Sequence, residues 1–121
     1  EFFQNNSLSV LCATESWLSP GDQAPIVELL PPGCSFINIP REQRRGGGLL
    51  TIFKSVLVCT PIVHQSTPLS FELSLFELGS PPLLCALIYR PPPYNKDFLN
   101  EFANFLADVS CRYGKILLLG D

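Results

Sequence analysis

Residues 83–121 read LLCALIYRPPPYNKDFLNEFANFLADVSCRYGKILLLGD. The segment opens on an apolar run, Leu83 to Tyr89, and closes on another, Lys115 to Leu119. Runs that are apolar on both faces suit strands buried between two layers. Between them Phe98, Phe102, Phe105, Leu106 and Val109 recur at intervals of three and four, the stripe of a helix with one buried face. Asn100, Glu101, Asn104 and Asp108 fall on the opposite face. The spacing predicts a helix over Lys96 to Arg112, with Asn95 as N-cap, Asp97 in the first turn, Arg112 in the last and Gly114 as the stop. Strand, amphipathic helix and strand in this order point to a layered α/β arrangement.

Moving outward, Phe71 to Leu78 alternates with period two: Phe71, Leu73 and Leu75 share one face, Glu72 and Ser74 the other. Gly79-Ser80-Pro81-Pro82 joins this strand to the Leu83 run as a hairpin. Leu49 to Phe53, rich in branched residues, reads as a strand entered through the flexible turn Gly46-Gly47-Gly48. Ser35 to Ile39 reads as a half-exposed strand and Leu8 to Thr14 as a buried one. Between Ser16 and Gly33, two turns at Ser19-Pro20-Gly21-Asp22 and Pro31-Pro32-Gly33 flank one or two helical turns over Ala24 to Leu30. His64, in a loop-like stretch after Thr60-Pro61, reads as a surface residue.

Composition narrows the class. The chain has 121 residues, 46% of them hydrophobic and 16% charged, which excludes a disordered tail. Its longest apolar runs stop far short of the roughly 20 residues a membrane-spanning helix needs, so no membrane partner is expected. The length allows one domain, and residues 1–121 read as a single incomplete one. Eight Lys and Arg against eleven Asp and Glu give a net charge of −3, which argues against gripping nucleic acid by bulk electrostatics. Arg41, Arg44 and Arg45 nevertheless form a local basic patch. The five cysteines, at 12, 34, 59, 85 and 111, make no C-x-x-C pair; they read as reduced thiols in an intracellular, reducing compartment. With no methionine and no signal segment, the chain reads as a portion of a longer product.

Chemistry is concentrated at strand ends. Glu15 and Asp121 directly follow apolar strands, and in open α/β sheets ligands gather where strand carboxyl ends meet. If those strands adjoin, both carboxylates project from one sheet edge and can share a hard divalent cation such as Mg²⁺. Tyr89 closes another apolar strand, within reach of the same rim. The ordinary alternatives are solvated turn acids and a packed aromatic, and periodicity does not decide between them.

Leu11-Cys12-Ala13-Thr14-Glu15-Ser16-Trp17-Leu18, Arg45-Gly46-Gly47-Gly48, Ile88-Tyr89-Arg90-Pro91-Pro92 and Leu117-Leu118-Leu119-Gly120-Asp121 follow one another in this order. Together they resemble the endonuclease/exonuclease/phosphatase superfamily, and more narrowly the apurinic-like endonuclease domain of non-LTR (LINE-type) retrotransposon polyproteins. Thr-Glu-Ser-Trp and Tyr-Arg-Pro-Pro favour the retrotransposon branch over repair enzymes. The resemblance implies a DNase I-like, partial four-layer α/β sandwich that nicks DNA with Mg²⁺ or Mn²⁺. It implies that Glu15 ligates the metal, that Tyr89 contacts the scissile phosphate, and that Asp121 orients or activates the attacking water. It also implies a nuclear protein with a reverse transcriptase domain downstream.

The family's first-strand asparagine, the asparagine two places beyond Asp121, a later aspartate and the C-terminal Asp-His pair have no counterpart here, and His64 matches no family position. The chain is therefore expected to be about half a domain and inactive alone. Two other readings are a degenerate, non-catalytic remnant and a same-superfamily phosphatase acting on a phosphoinositide or other small phosphodiester.

Further residues have two readings each. Arg41, Arg44 and Arg45 read equally as contacts to the DNA backbone and as a solvated loop. Arg90 reads as a phosphate contact or as a cover for Pro91-Pro92-Pro93, a turn that also has the composition of a short polyproline ligand. Trp17 has the chemistry to stack on a base or sugar, though packing under the Ser19-Pro20 turn is the expectation. Gly46 to Gly48 lacks the Lys-Ser/Thr of a P-loop.

Overall fold

The computed structural model describes residues 9–18, 21, 23–41, 46–64, 67–93 and 95–121. The chain forms two compact units, Glu1–Val58 and Cys59–Asp121, each with its own sheet.

In the first unit, β1 (Val10–Thr14) and β2 (Cys34–Ile39) flank β3 (Leu49–Lys54), both antiparallel to it. The alternation of β3 is clean: Leu49, Thr51 and Phe53 are buried. A short helix, α1 (Gln23–Leu29), supplies buried Ile26; Pro25 in its first turn costs no ladder bond, because the first amides of a helix have no partner there. Since β1 and β2 both run against β3, their carboxyl ends lie at the sheet edge where β3 begins. That edge holds Glu15 to Trp17, Arg41 and Gly46 to Gly48.

The second unit is a four-stranded sheet in the order β4 (Cys59–Ile62), β5 (Glu72–Leu78), β6 (Leu83–Tyr89), β7 (Ile116–Gly120), with α2 (Phe98–Ser110) between β6 and β7. The β5–β6 hairpin forms with Glu72 opposite Tyr89 and Leu78 opposite Leu83. β7 pairs parallel to β6, which requires a crossover connection, and α2 is that crossover. The predicted stripe packs as expected: Phe105 and Val109 are buried against Phe71, Leu75, Leu84, Ala86 and Ile88, with Phe98, Phe102, Leu106 and Ile116 around them. Phe71 is the hub, meeting Phe98, Phe102 and Phe105 edge-on at centroid distances of 5.5, 6.0 and 6.2 Å.

Cys59–Ile62 adds a strand beyond those read from the sequence, despite Pro61, because it lies at the sheet edge, where a missing donor leaves no partner unpaired. Several expectations are corrected. The helix starts at Phe98 because the Asn95 side chain accepts the Asp97 amide at 2.8 Å, a turn that precedes the first helical residue. It ends at Ser110, and Arg112 reaches back to Asp108 at 2.8 Å. Glu101 is half-buried and not simply solvated: its carboxylate accepts the Leu69 and Ser70 amides and the Ser70 hydroxyl. His64 is not a surface residue, with a side chain 13% exposed that meets Phe105 edge-on and Asp108 at 3.0 Å. The last strand is not buried either; among the described residues β7 is the terminal strand of its sheet, and Leu117 and Leu118 are 42% and 43% exposed.

No disulfide joins any of the five cysteines. Cys85 is buried and behaves as the small hydrophobe expected, whereas Cys111 is exposed. Burial pushes the Cys12 thiol up, against a weaker opposing bond from Thr51, which favours the unreactive thiol form.

Candidate functional site

Two groups of the expected site residues are organised by the fold, one at a strand end in each unit. In the second unit, β6 and β7 run parallel, so their carboxyl ends coincide. The Asp121 amide donates to the Ile88 carbonyl at 3.0 Å, and the Arg90 amide donates to the Asp121 carbonyl at 2.9 Å. Asp121 thus stands directly opposite Tyr89 and continues the ladder one residue past Ile88–Gly120. Tyr89 alternates with Ala86 and Ile88, which pack on α2, and so lies on the other face of the sheet. Tyr89 is 6% exposed, whereas Asp121 is exposed.

Gly120 makes this register possible. Its φ of 146° is open to glycine, and a Cβ there would overlap the Ile88 carbonyl. The Leu-Gly-Asp sequence therefore fixes where the carboxylate emerges. Arg90 follows β6 and lays its guanidinium 4.4 Å from the centre of the Phe98 ring, a cation–π contact with α2. Arg90, Phe98, Phe102, Leu118, Leu119 and Asp121 help line a shallow pocket of about 300 Å³.

In the first unit, Glu15 is exposed and holds a φ of 53°, and Trp17 a φ of 60°. Left-handed backbone at residues other than glycine costs about 1–3 kcal/mol each and is kept only where neighbours enforce it. The enforcing neighbour is the triglycine turn: the Ser16 amide donates to the Gly48 carbonyl at 3.1 Å and the Trp17 amide to the Gly47 carbonyl at 2.8 Å. Each glycine also meets a different side chain. A Cβ on Gly46 would lie 3.2 Å from the Trp17 ring, one on Gly47 would overlap the Arg41 guanidinium, and one on Gly48 would lie 2.7 Å from the Ser16 Oγ. That Oγ is buried and has no hydrogen-bond partner among the described residues. Gly46 to Gly48 is thus a close-contact surface and not a merely flexible turn. Trp17 does not tuck away; it is 64% exposed. Beside this edge a largely apolar cavity of about 370 Å³ is lined by Leu18, Ile26, Leu29, Leu50 and Ile52, with Glu15 and Ser16 contributing.

The strands that end at Glu15 and Asp121 do not adjoin. β1 pairs with β3 in one sheet and β7 with β6 in the other, so the two acids do not finish neighbouring strands of a common edge. Strand adjacency depends on long-range pairing, which apolar runs alone do not encode. Among the described residues, no three of the His, Cys, Asp and Glu side chains gather as a metal-ligand set. Glu15, an exposed carboxylate on a constrained backbone, fits a hard cation that takes few protein oxygens and keeps its water. Arg44 and Arg45 lie outside the described residues. The approach of Trp17 and Arg41 to consecutive glycines had no local signal in the sequence; only the β1–β3–β2 order predicts it.

No protein-family model and no curated protein matches the chain. Among solved structures, the fold is similar to that of truncated Caenorhabditis elegans TDP2, with a TM-score of 0.52 and 14% identity, covering 98% of this chain and 51% of that one. It is likewise similar to selenomethionine-labelled TDP2 from the same organism, with a TM-score of 0.52 and 15% identity, covering 98% of this chain and 38% of that one. The likeness is one of fold. It supports the DNase I-like α/β class expected from the motifs, and no narrower branch. The chain spans about half of the first TDP2 chain and less of the second.

Proposed function

We propose that this chain is part of a metal-dependent phosphodiesterase of the endonuclease/exonuclease/phosphatase superfamily, a four-layer sandwich that nicks DNA as the target-site endonuclease of a LINE-type retrotransposon. The observation that supports it most is the placement of Asp121 opposite Tyr89, at the joined carboxyl ends of two parallel strands. Ligands collect at such ends in α/β sheets. In this reading Asp121 orients the attacking water and takes its proton, while the Tyr89 hydroxyl donates to the scissile phosphate. Glu15 holds Mg²⁺ or Mn²⁺, which when bound supplies charge stabilisation at the phosphoryl oxygens. Arg41, Arg44, Arg45 and Arg90 contact backbone phosphates and give affinity without reading sequence. A reverse transcriptase domain downstream and a nuclear location belong to the same proposal.

The isolated chain is expected to be inactive. Transition-state stabilisation acts through a preorganised set of groups, and losing several of them removes nearly all of it. The test is nicking of supercoiled plasmid in Mg²⁺ by the 121-residue chain and by a longer chain carrying the residues encoded on either side. Only the longer chain should cut, and Glu15→Ala or Asp121→Ala should each slow it by about 100-fold or more. Full-rate cutting by a longer chain without both acids would remove the proposal.

A further inference from the structure

We propose that Trp17 and Arg41 form a nucleotide-binding platform beside Glu15, in which the indole stacks on a base and the guanidinium holds a neighbouring phosphate. This deepens the nuclease reading and rests on it for the identity of the ligand as a DNA strand.

Three observations carry the inference. The first is exposure: a tryptophan 64% open to solvent leaves a large aromatic surface wet, although the apolar cavity lined by Leu29 and Leu50 lies at the same end of the sheet. The second is enforcement. Trp17 sits in the left-handed region at φ 60°, fixed by the hydrogen bond its amide donates to the Gly47 carbonyl, with its ring against Gly46. The fold thus spends backbone strain to hold the ring outward, and such strain clusters at ligand sites. The third is chemistry. Arg41 packs its guanidinium on Gly47, the residue next to the one beneath the indole, so an aromatic plane and a cation lie on adjacent residues. Both stand at the strand end that carries the exposed Glu15 carboxylate. An aromatic face beside a guanidinium suits a ligand that alternates flat bases with anionic phosphates.

The lower face of the indole is occupied by Gly46, so a base would stack on the other. Every base presents a π-face, so the platform should tolerate any sequence while requiring that a base be present.

Trp17 is the sole tryptophan of the chain, so its fluorescence reports this site alone. Short single-stranded oligodeoxynucleotides should quench it saturably, and an abasic strand of equal length should quench it far less. In parallel, the anisotropy of a labelled oligonucleotide reports total binding. Trp17→Ala should weaken that binding by roughly 5- to 150-fold, while Trp17→Phe, which keeps a stacking face, should restore much of it. Arg41→Gln should weaken binding to normal and abasic strands alike and make the salt dependence shallower by about 0.7 in log–log slope.

If anisotropy shows binding while the tryptophan signal stays unchanged, the platform is wrong and DNA binding elsewhere stands. If the oligonucleotide quenches Trp17 but the longer chain never nicks plasmid, the platform stands and the nuclease reading fails. Absence of binding by either measure overturns the platform. Circular dichroism on each variant separates lost contact from lost fold.

Discussion

Asp121 is positioned by the residue before it. The backbone of Gly120 passes so close to the Ile88 carbonyl, at a φ of 146°, that no side chain fits. Gly120→Ala should therefore force the end of β7 away from β6 and destabilise the chain by about 2–4 kcal/mol. The local readout is hydrogen exchange: the Arg90 amide, which donates to Asp121, should lose protection while amides in the middle of β6 keep theirs. Unchanged exchange and an unchanged denaturation midpoint would mean that the Ile88 carbonyl moves aside and that glycine is not required. The Gly-Asp dipeptide was legible as a strand end, because Gly after an apolar run is a plain stop signal. Glu15 and Trp17 were not legible as left-handed residues. Nothing in Thr-Glu-Ser-Trp marks a positive φ; the carbonyls that impose it come from Gly47 and Gly48, distant in sequence.

At the scale of an element, α2 does more than cover β6. Its buried stripe was readable because helical periodicity is local: each apolar residue needs only its neighbours three and four away. Its other attachments were not readable, since they join residues from separate segments. Glu101 clamps the Leu69–Ser70 turn, and Asp108 is shared by Arg112 and His64. Burial acts to raise the Glu101 carboxyl, but the Ser70 hydroxyl and the Leu69 and Ser70 amides outweigh it and hold it below the ordinary value of 4.5. A carboxyl depressed by folding contributes stability above its unfolded pKa and loses it as the pH falls through the folded one. The clamp is thus in force at neutral pH and fades below about pH 4.5. Glu101→Gln should cost about 1 kcal/mol at pH 7, a value reduced for solvent screening, and the difference from the native chain should shrink toward pH 3. Urea denaturation at both pH values checks this; a gap that widens in acid would be the wrong sign.

Across the whole molecule, the described residues of the second unit's sheet end in β7, whose Leu117 and Leu118 are 42% and 43% exposed. An apolar terminal strand is a template for pairing with another chain. Concentration-dependent association should therefore be visible by sedimentation velocity, and Leu117→Lys should suppress it, because a charge on an edge strand disfavours edge-to-edge pairing. A native chain that stays monomeric over the full concentration range would refute this. The net charge of −3 gives no general attraction for a polyanion, so whatever DNA binding the chain has must come from local groups such as Arg41 and Trp17.

The amino-acid sequence by itself determined the elements: the β5–β6 hairpin, the amphipathic α2, the apolar strands before Glu15 and Asp121, and the α/β class that follows from their order. All of these rest on periodicity and turn chemistry, which act over a few residues. Only the tertiary structure decided that β1 and β7 belong to different sheets, that Tyr89 faces Asp121 across a parallel ladder, and that Trp17 and Arg41 lie on neighbouring glycines. Those relations depend on strand order and register, which arise from many weak, long-range contacts settled together and carry no mark in any single segment.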